Sequence, residues 1–167
     1  MEDVMAHNSE VKAKAGKYLT FRIAQEEYGL EILKVREIIG MMPITRVPKT
    51  PEFVRGVINL RGGVIPVVEL RKKFGMETEA DTGETCVIVV EILKKGEPIQ
   101  VGILVDSVSE VIDIAAPDIE STPSFGVELD TQYILGMAKT KGAVKILLNI
   151  DRVLTGEEIE SLKEGVK

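Results

Sequence analysis

The 167-residue sequence has one cysteine, one histidine, no tryptophan and only seven aromatic residues, four Phe and three Tyr. A single cysteine excludes an internal disulfide framework, so a reducing compartment fits best. One His with one Cys cannot build a His/Cys zinc site; only a carboxylate cage remains for a hard cation, and no metal is expected. No apolar run approaches the ~18 residues that cross a bilayer, so no direct membrane insertion is expected. The opening stretch MEDVMAHNSEVKAKAGK lacks the apolar centre of a secretion signal. Residues 1–16 read as a flexible, solvated arm. Cations are outnumbered, 21 Lys and Arg against 27 Asp and Glu, for a net charge of -6. Neutralising phosphate supplies most nucleic-acid affinity, so this balance argues against a nucleic-acid partner. Neither GxGxxG nor GxxxxGKS/T occurs, and no cofactor is expected.

What is present is aliphatic. The 44% hydrophobic fraction rests mainly on Val, Ile and Leu, and a chain of this length buries about two-thirds of its unfolded surface on folding. Leu19, Phe21 and Ile23 alternate with Thr20, Arg22 and Ala24, the period of a half-buried strand. A polar turn at Gln25–Glu27 leads to a second strand over Tyr28–Ile32. LKVREIIG reads as one helical turn followed by a short strand. Three prolines, Pro43, Pro48 and Pro51, consign the next stretch to loop or sheet edge. FVRGVINL and GGVIPVVEL form a hairpin around Arg61–Gly63, with Pro66 marking an edge or a bulge. Residues 76–84 read as an acidic linker or surface loop. TCVIVVEIL and PIQVGILVD make another hairpin with Gly96 in its turn, and SVSEVIDI, YILGMAKT and VKILLNI follow. Thr155 and Glu158 have capping-box spacing, so a short terminal helix is expected over 156–164. The chain is mostly β.

Two segments recur in order. GLEILKVREII (29–39) matches GILVDSVSEVI (102–112) at an offset of 73, pairing Gly29 with Gly102, Val35 with Val108, Glu37 with Glu110 and Ile39 with Ile112. GVINLRGGVIPVVEL (56–70) matches GMAKTKGAVKILLNI (136–150) at an offset of 80, pairing Gly56 with Gly136, Arg61 with Lys141, Gly62 with Gly142 and Val64 with Val144. The expected architecture is two similar small β-barrels, one about 17–76 and one about 85–154, with strand exchange between them admitted and residues 155–167 as helix and tail. Each copy alone has a marginal core, so the two support each other. Gly102 and Gly136 mark backbone positions that exclude a side chain or require positive φ.

Reactive equipment is sparse. Cys86 sits in the apolar run CVIVV and reads as an inert core residue, with His7 far off in the arm. Carboxylates are abundant but occur singly, the pattern of solvated surface, so catalytic residues are not expected. Ile32, Val35 and Ile38 in one copy, and Val105 and Val108 in the other, fall near the seam between barrels. They are either core or the walls of an apolar groove for a partner's helix or strand. Glu37 and Arg61 interrupt apolar segments and are either a long-range ion pair or two separate surface charges.

EYGLEILKVREIIG, the block ITRVPKTPEFVRGVINLRGGVIPVVELRKKFG and VGILVDSVSEVIDI together resemble the bacterial chemotaxis coupling proteins of the CheW family, from about Lys17 to Leu162. The resemblance implies two five-stranded barrels of SH3 type and a non-catalytic adaptor, monomeric when isolated. Its implied partners are the regulatory domain of the histidine kinase CheA and the cytoplasmic tip of methyl-accepting chemoreceptors. The implied location is the cytoplasm, at receptor arrays. The implied receptor groove holds Leu19, Ile32, Val35, Ile38 and Val108, joined by Val105. The implied kinase contact is the hairpin of Gly56, Arg61, Gly62 and Gly63, with Glu37 supporting Arg61. Less favoured alternatives are a CheW-like scaffold outside chemotaxis, a small-barrel nucleic-acid module and a hydrolase using paired carboxylates.

Overall fold

In a computed structural model, residues 15–121, 133–154 and 157–158 are described. The arm over 1–14 lies outside them, as does most of the terminal helix expected at 156–164, of which Glu157 and Glu158 are helical. The strands are β1 (Gly16–Ile23), β2 (Glu26–Glu31), β3 (Val35–Gly40), β4 (Val54–Leu60), β5 (Gly63–Glu69), β6 (Cys86–Lys94), β7 (Glu97–Val105), β8 (Ser107–Ile114), β9 (Ile119–Glu120), β10 (Ile134–Thr140) and β11 (Ala143–Leu148). Two one-turn helices, α1 (Leu70–Lys73) and α2 (Ile150–Val153), follow β5 and β11. On sequence, the preceding strands end at Leu70 and Ile150, the first residue of each helix, and neither helix is predicted, because four residues are too few to display a 3.6-residue period. Asn149 starts the second, accepting from the Asp151 N–H at 3.2 Å.

The strands form two sheets, ordered β8-β1-β2-β11-β10-β9 and β3-β6-β7-β5-β4. Apart from the two-residue β9, the sheets correspond strand for strand. In each, one short parallel ladder closes the set: Val67 opposite Gly102 in one, Leu147 opposite Gly29 in the other. Those positions are equivalent under the two sequence offsets. Both glycines are there for space, since a Cβ at Gly102 would lie 2.7 Å from Val87 Cγ1 and one at Gly29 2.8 Å from Leu147 Cδ2. The register also shifts at matching points, between Val54 and Gly56 and between Ile134 and Gly136. The mostly β, two-barrel architecture read from the sequence is the one observed. Its strands are shared across the repeat: β1 and β2 join β8–β11, while β3–β7 form the other sheet.

This sharing explains the unbroken apolar run of β6. Val87 and Val89 point into a cluster with Ile58, Ile65, Val67 and Leu104, inside one barrel. Ile88 and Val90 point the other way, into the largest cluster, where Leu19, Phe21 and Leu30 from the opposite sheet meet Val68, Ile103 and Val105. A strand buried on both faces has no polar alternation to display. A third cluster, Tyr18, Ile114, Leu135, Ala138 and Leu147, fills the second barrel. The seam is therefore a continuous core.

Pro66, placed on sequence at an edge or bulge, lies in β5, which is interior to its sheet. The parallel ladder to β7 begins only at Val67, so the missing N–H removes no bond from it. The three-proline stretch stays outside the ladders, pinned to β4 by reciprocal Thr45–Val57 bonds of 2.8 Å.

Candidate functional site

The hairpin of β4 and β5 turns on two residues, Arg61 and Gly62, with φ of 51° and 86°. Two positive φ values make the turn that matches the twist of paired strands, and Gly62 takes its place without steric cost. Asn59 Oδ1 accepts the Gly62 N–H at 3.0 Å and closes the loop. The turn thus thrusts Arg61 outward, its side chain 72% exposed. Arg61 Nη2 donates to Glu37 Oε2 of β3, so the two charges form the long-range pair. That bond to Glu37 raises the already high Arg61 pKa further.

Gly56 does different work. It is buried, and a Cβ there would come within 2.2 Å of the Thr45 carbonyl oxygen. It lets the proline-rich loop close against β4 and offers no surface of its own. Gly63 is exposed, and a Cβ there would make only an ordinary 3.6 Å contact with the Leu60 carbonyl oxygen. Val64, half exposed beside the turn, belongs to the same surface. Sequence reasoning missed it because it lies in a continuous apolar run, and the signal was its repeat partner Val144, equally exposed on the second hairpin. There Lys141 and Gly142 reproduce the turn, with φ of 49° and 78°.

The six apolar candidates divide. Ile32, Val35 and Val108 are partly buried against the seam core. Val108 lies opposite Phe21, and Val35 opposite Val90. Ile38 is exposed on β3, with its repeat partner Val111 exposed on β8. Leu19 and Val105 are core residues, at 2% and 1% exposure, because both barrels cover the faces they occupy. They add almost no exposed apolar area of their own. Leu33 was overlooked, since i, i+3 spacing from Ile32 selects Val35; it is the most exposed large apolar side chain among the described residues, on the 3-10 turn Ile32–Lys34.

Elsewhere the chemistry is ionic and structural. Glu27 accepts from Lys145 at 2.6 Å and lies 3.3 Å from Arg22. The Lys145 hydrogen bond outweighs burial and holds the Glu27 carboxyl below its usual range. Burial pushes the Cys86 thiol up, away from the reactive thiolate. Among the described residues, no three His, Cys, Asp or Glu converge as metal ligands, and no helix is long and apolar enough to cross a membrane.

Two fused, pseudo-equivalent barrels carrying an exposed arginine turn and exposed aliphatic side chains define a β-barrel protein of scaffold type. Residues 17–158 match a family described as the CheW-like domain. The chain is 40% identical over 143 residues to the chemotaxis protein CheW of Klebsiella aerogenes, covering 86% of this chain and 84% of that one. It is 33% identical over 156 residues to the chemotaxis protein CheW of Thermotoga maritima, covering 92% and 95%. The crystal structure of the scaffolding protein TtCheW from Thermoanaerobacter tengcongensis superimposes with a TM-score of 0.76 at 38% identity, over 86% of this chain and 97% of that one. The chain belongs to the CheW-like family.

Proposed function

We propose that this chain is a non-catalytic chemotaxis adaptor that couples transmembrane chemoreceptors to the histidine kinase CheA. It works in the cytoplasm, recruited to receptor arrays. The receptor tip contacts the surface of Ile32, Val35, Ile38 and Val108, carried by Leu19 and Val105 beneath. The regulatory domain of CheA contacts the turn of Arg61, Gly62 and Gly63, braced by Glu37 and by the loop that Gly56 admits.

The observation that carries this reading is that one shared core displays two features of unlike character. One is an arginine projected on a tight turn and held by Glu37; the other is aliphatic and half-buried. An adaptor requires distinct faces, because simultaneous partners cannot share one. Coupling then means that the state of one partner alters contact geometry felt by the other.

Co-sedimentation with receptor-containing membranes and CheA tests the reading. Val108→Asp is expected to lose the receptor-bound fraction while keeping CheA, and Arg61→Asp to do the reverse. If both variants fold and still give receptor-controlled kinase activity, the reading is overturned.

A further inference from the structure

A charged cleft of about 170 Å³ lies beside β4, α1 and the start of β8. Arg22, Arg55 and Arg71 line it together with two carboxylates of the barrel framework, Glu69 and Asp106. Each framework carboxylate takes one edge of an arginine. Arg55 Nε donates to Glu69 Oε2 at 2.8 Å, and Arg71 donates through Nε and Nη2 to Asp106 at 3.0 and 2.6 Å.

The remaining edges face the acidic segment 76–84. Arg55 Nη1 and Nη2 donate to the two oxygens of Asp81 at 3.2 and 3.1 Å, and Arg71 Nη1 donates to the Glu77 carbonyl at 2.9 Å. A two-pronged arginine grip on a carboxylate is among the strongest hydrogen-bonding arrangements available to side chains. At the start of this strap the Met76 N–H donates to the Arg71 carbonyl at 2.8 Å, and the Met76 side chain packs on the largest core cluster. From Glu77 to Asp81 the strap makes no backbone–backbone hydrogen bond among the described residues, and its side chains are exposed. Glu79 comes only to 3.9 Å from Arg71.

We propose that the strap is an internal stand-in for an external ligand, an extended acidic segment of a partner protein that binds the cleft when the strap lifts. The pattern the arginines recognise is a backbone carbonyl followed four residues later by a carboxylate, as in Glu77 and Asp81. With the strap lifted, Arg22, Arg55 and Arg71 each keep one framework carboxylate, Glu27, Glu69 and Asp106, while Arg55 Nη1 and Nη2 and Arg71 Nη1 lose the acceptors that the strap supplies. A carboxylate and a backbone carbonyl from an acidic segment would accept from those same Nη groups, as Asp81 and Glu77 do. The site does not use the Arg61 turn, borders the Val108 surface at Val105 and Ser107, and goes beyond the adaptor reading.

The test uses the full chain and a fluorescein-labelled peptide of the strap sequence METEADTGE, followed by anisotropy. Asp81→Asn breaks the grip and should bind the peptide about ten-fold tighter than the parent, a gain that fades in about 0.5 M salt. Amide exchange over 77–81 should accelerate in the same variant. Adding Arg55→Lys removes the fork and should abolish the gain. Unchanged exchange in Asp81→Asn would sink the proposal, because the arginines would not be what holds the strap. Faster exchange without tighter peptide binding would reduce the strap to a fastener. An Asp81→Asn chain that dimerises in sedimentation, ignoring the peptide, would make the occupant a second copy's strap and overturn the assignment.

Discussion

Single residues in this chain act through the space they leave and the charges they bring together. Gly102 sits where the parallel ladder of β5 and β7 brings two strands against Val87. Gly102→Ala should therefore cost about 1–3 kcal/mol of stability in urea unfolding. Val87→Ala should recover part of that loss when the two are combined, a coupling that separates crowding from backbone effects. Asp106 joins the Arg71 fork to the Ala24 N–H, at 2.7 Å from the latter. Burial alone would raise its carboxyl, but those hydrogen bonds outweigh it and hold the pKa below its ordinary 3.8. Stability from such a group is present above the unfolded value and is lost as pH falls through the lower folded one. The urea midpoint of Asp106→Asn should trail the parent at about pH 7, and the gap should narrow as pH falls below the ordinary 3.8. The sequence displayed both carboxylate and arginine, but they stand 35 residues apart and nothing in their local patterns joins them. By contrast, the Glu37–Arg61 pair was legible as one of two readings, since each charge interrupts an apolar run.

Among the elements, β6 separates what local pattern reveals from what it conceals. CVIVV announced a buried strand, and the hairpin to β7 around Gly96 is present, with Lys94 opposite Glu97. The second buried face was not legible, because its cover comes from the opposite barrel, through Leu19 and Phe21. The same non-local cover moved Leu19 and Val105 from groove to core. Ile88→Ala, on that seam face, should destabilise by about 2–4 kcal/mol, whereas an exposed neighbour such as Leu93 should tolerate alanine with little loss. The turns were more transparent. Arg61–Gly62 and Lys141–Gly142 advertise positive φ through their glycines and their recurrence. The strap over 76–84 was read as a surface loop from its polarity; the arginines that anchor it come from β4 and α1, which composition alone cannot connect to it.

For the whole molecule, the largest hydrophobic cluster belongs to neither barrel alone. Stacked rings extend the connection, running from Phe21 to Tyr28, Phe74 and Tyr133 at centroid spacings of 5.9, 5.9 and 5.2 Å. The barrels should accordingly unfold in one cooperative transition. Hydrogen exchange offers the check: Ile88→Ala should lower protection of β1 amides as much as those of β6. Loss confined to β3–β7 would mean that the barrels are separable units. A shared core also gives the adaptor reading a physical basis, since a disturbance at one barrel's surface meets no soft joint before reaching the other.

The order in which strands enter the sheets has a consequence for the birth of the protein. Strands β3–β7 are consecutive and can pair as soon as they leave the ribosome, whereas the β1–β2 hairpin must await β11. Lys145 and Glu27, which face each other across that junction, are 118 residues apart. At ordinary synthesis rates the early hairpin waits roughly 10 s with an unpaired edge and a bare apolar face. During that interval the nascent chain is a client for chaperones and a hazard to its neighbours, and the completed β3–β7 sheet is the first surface of its own on which it can settle.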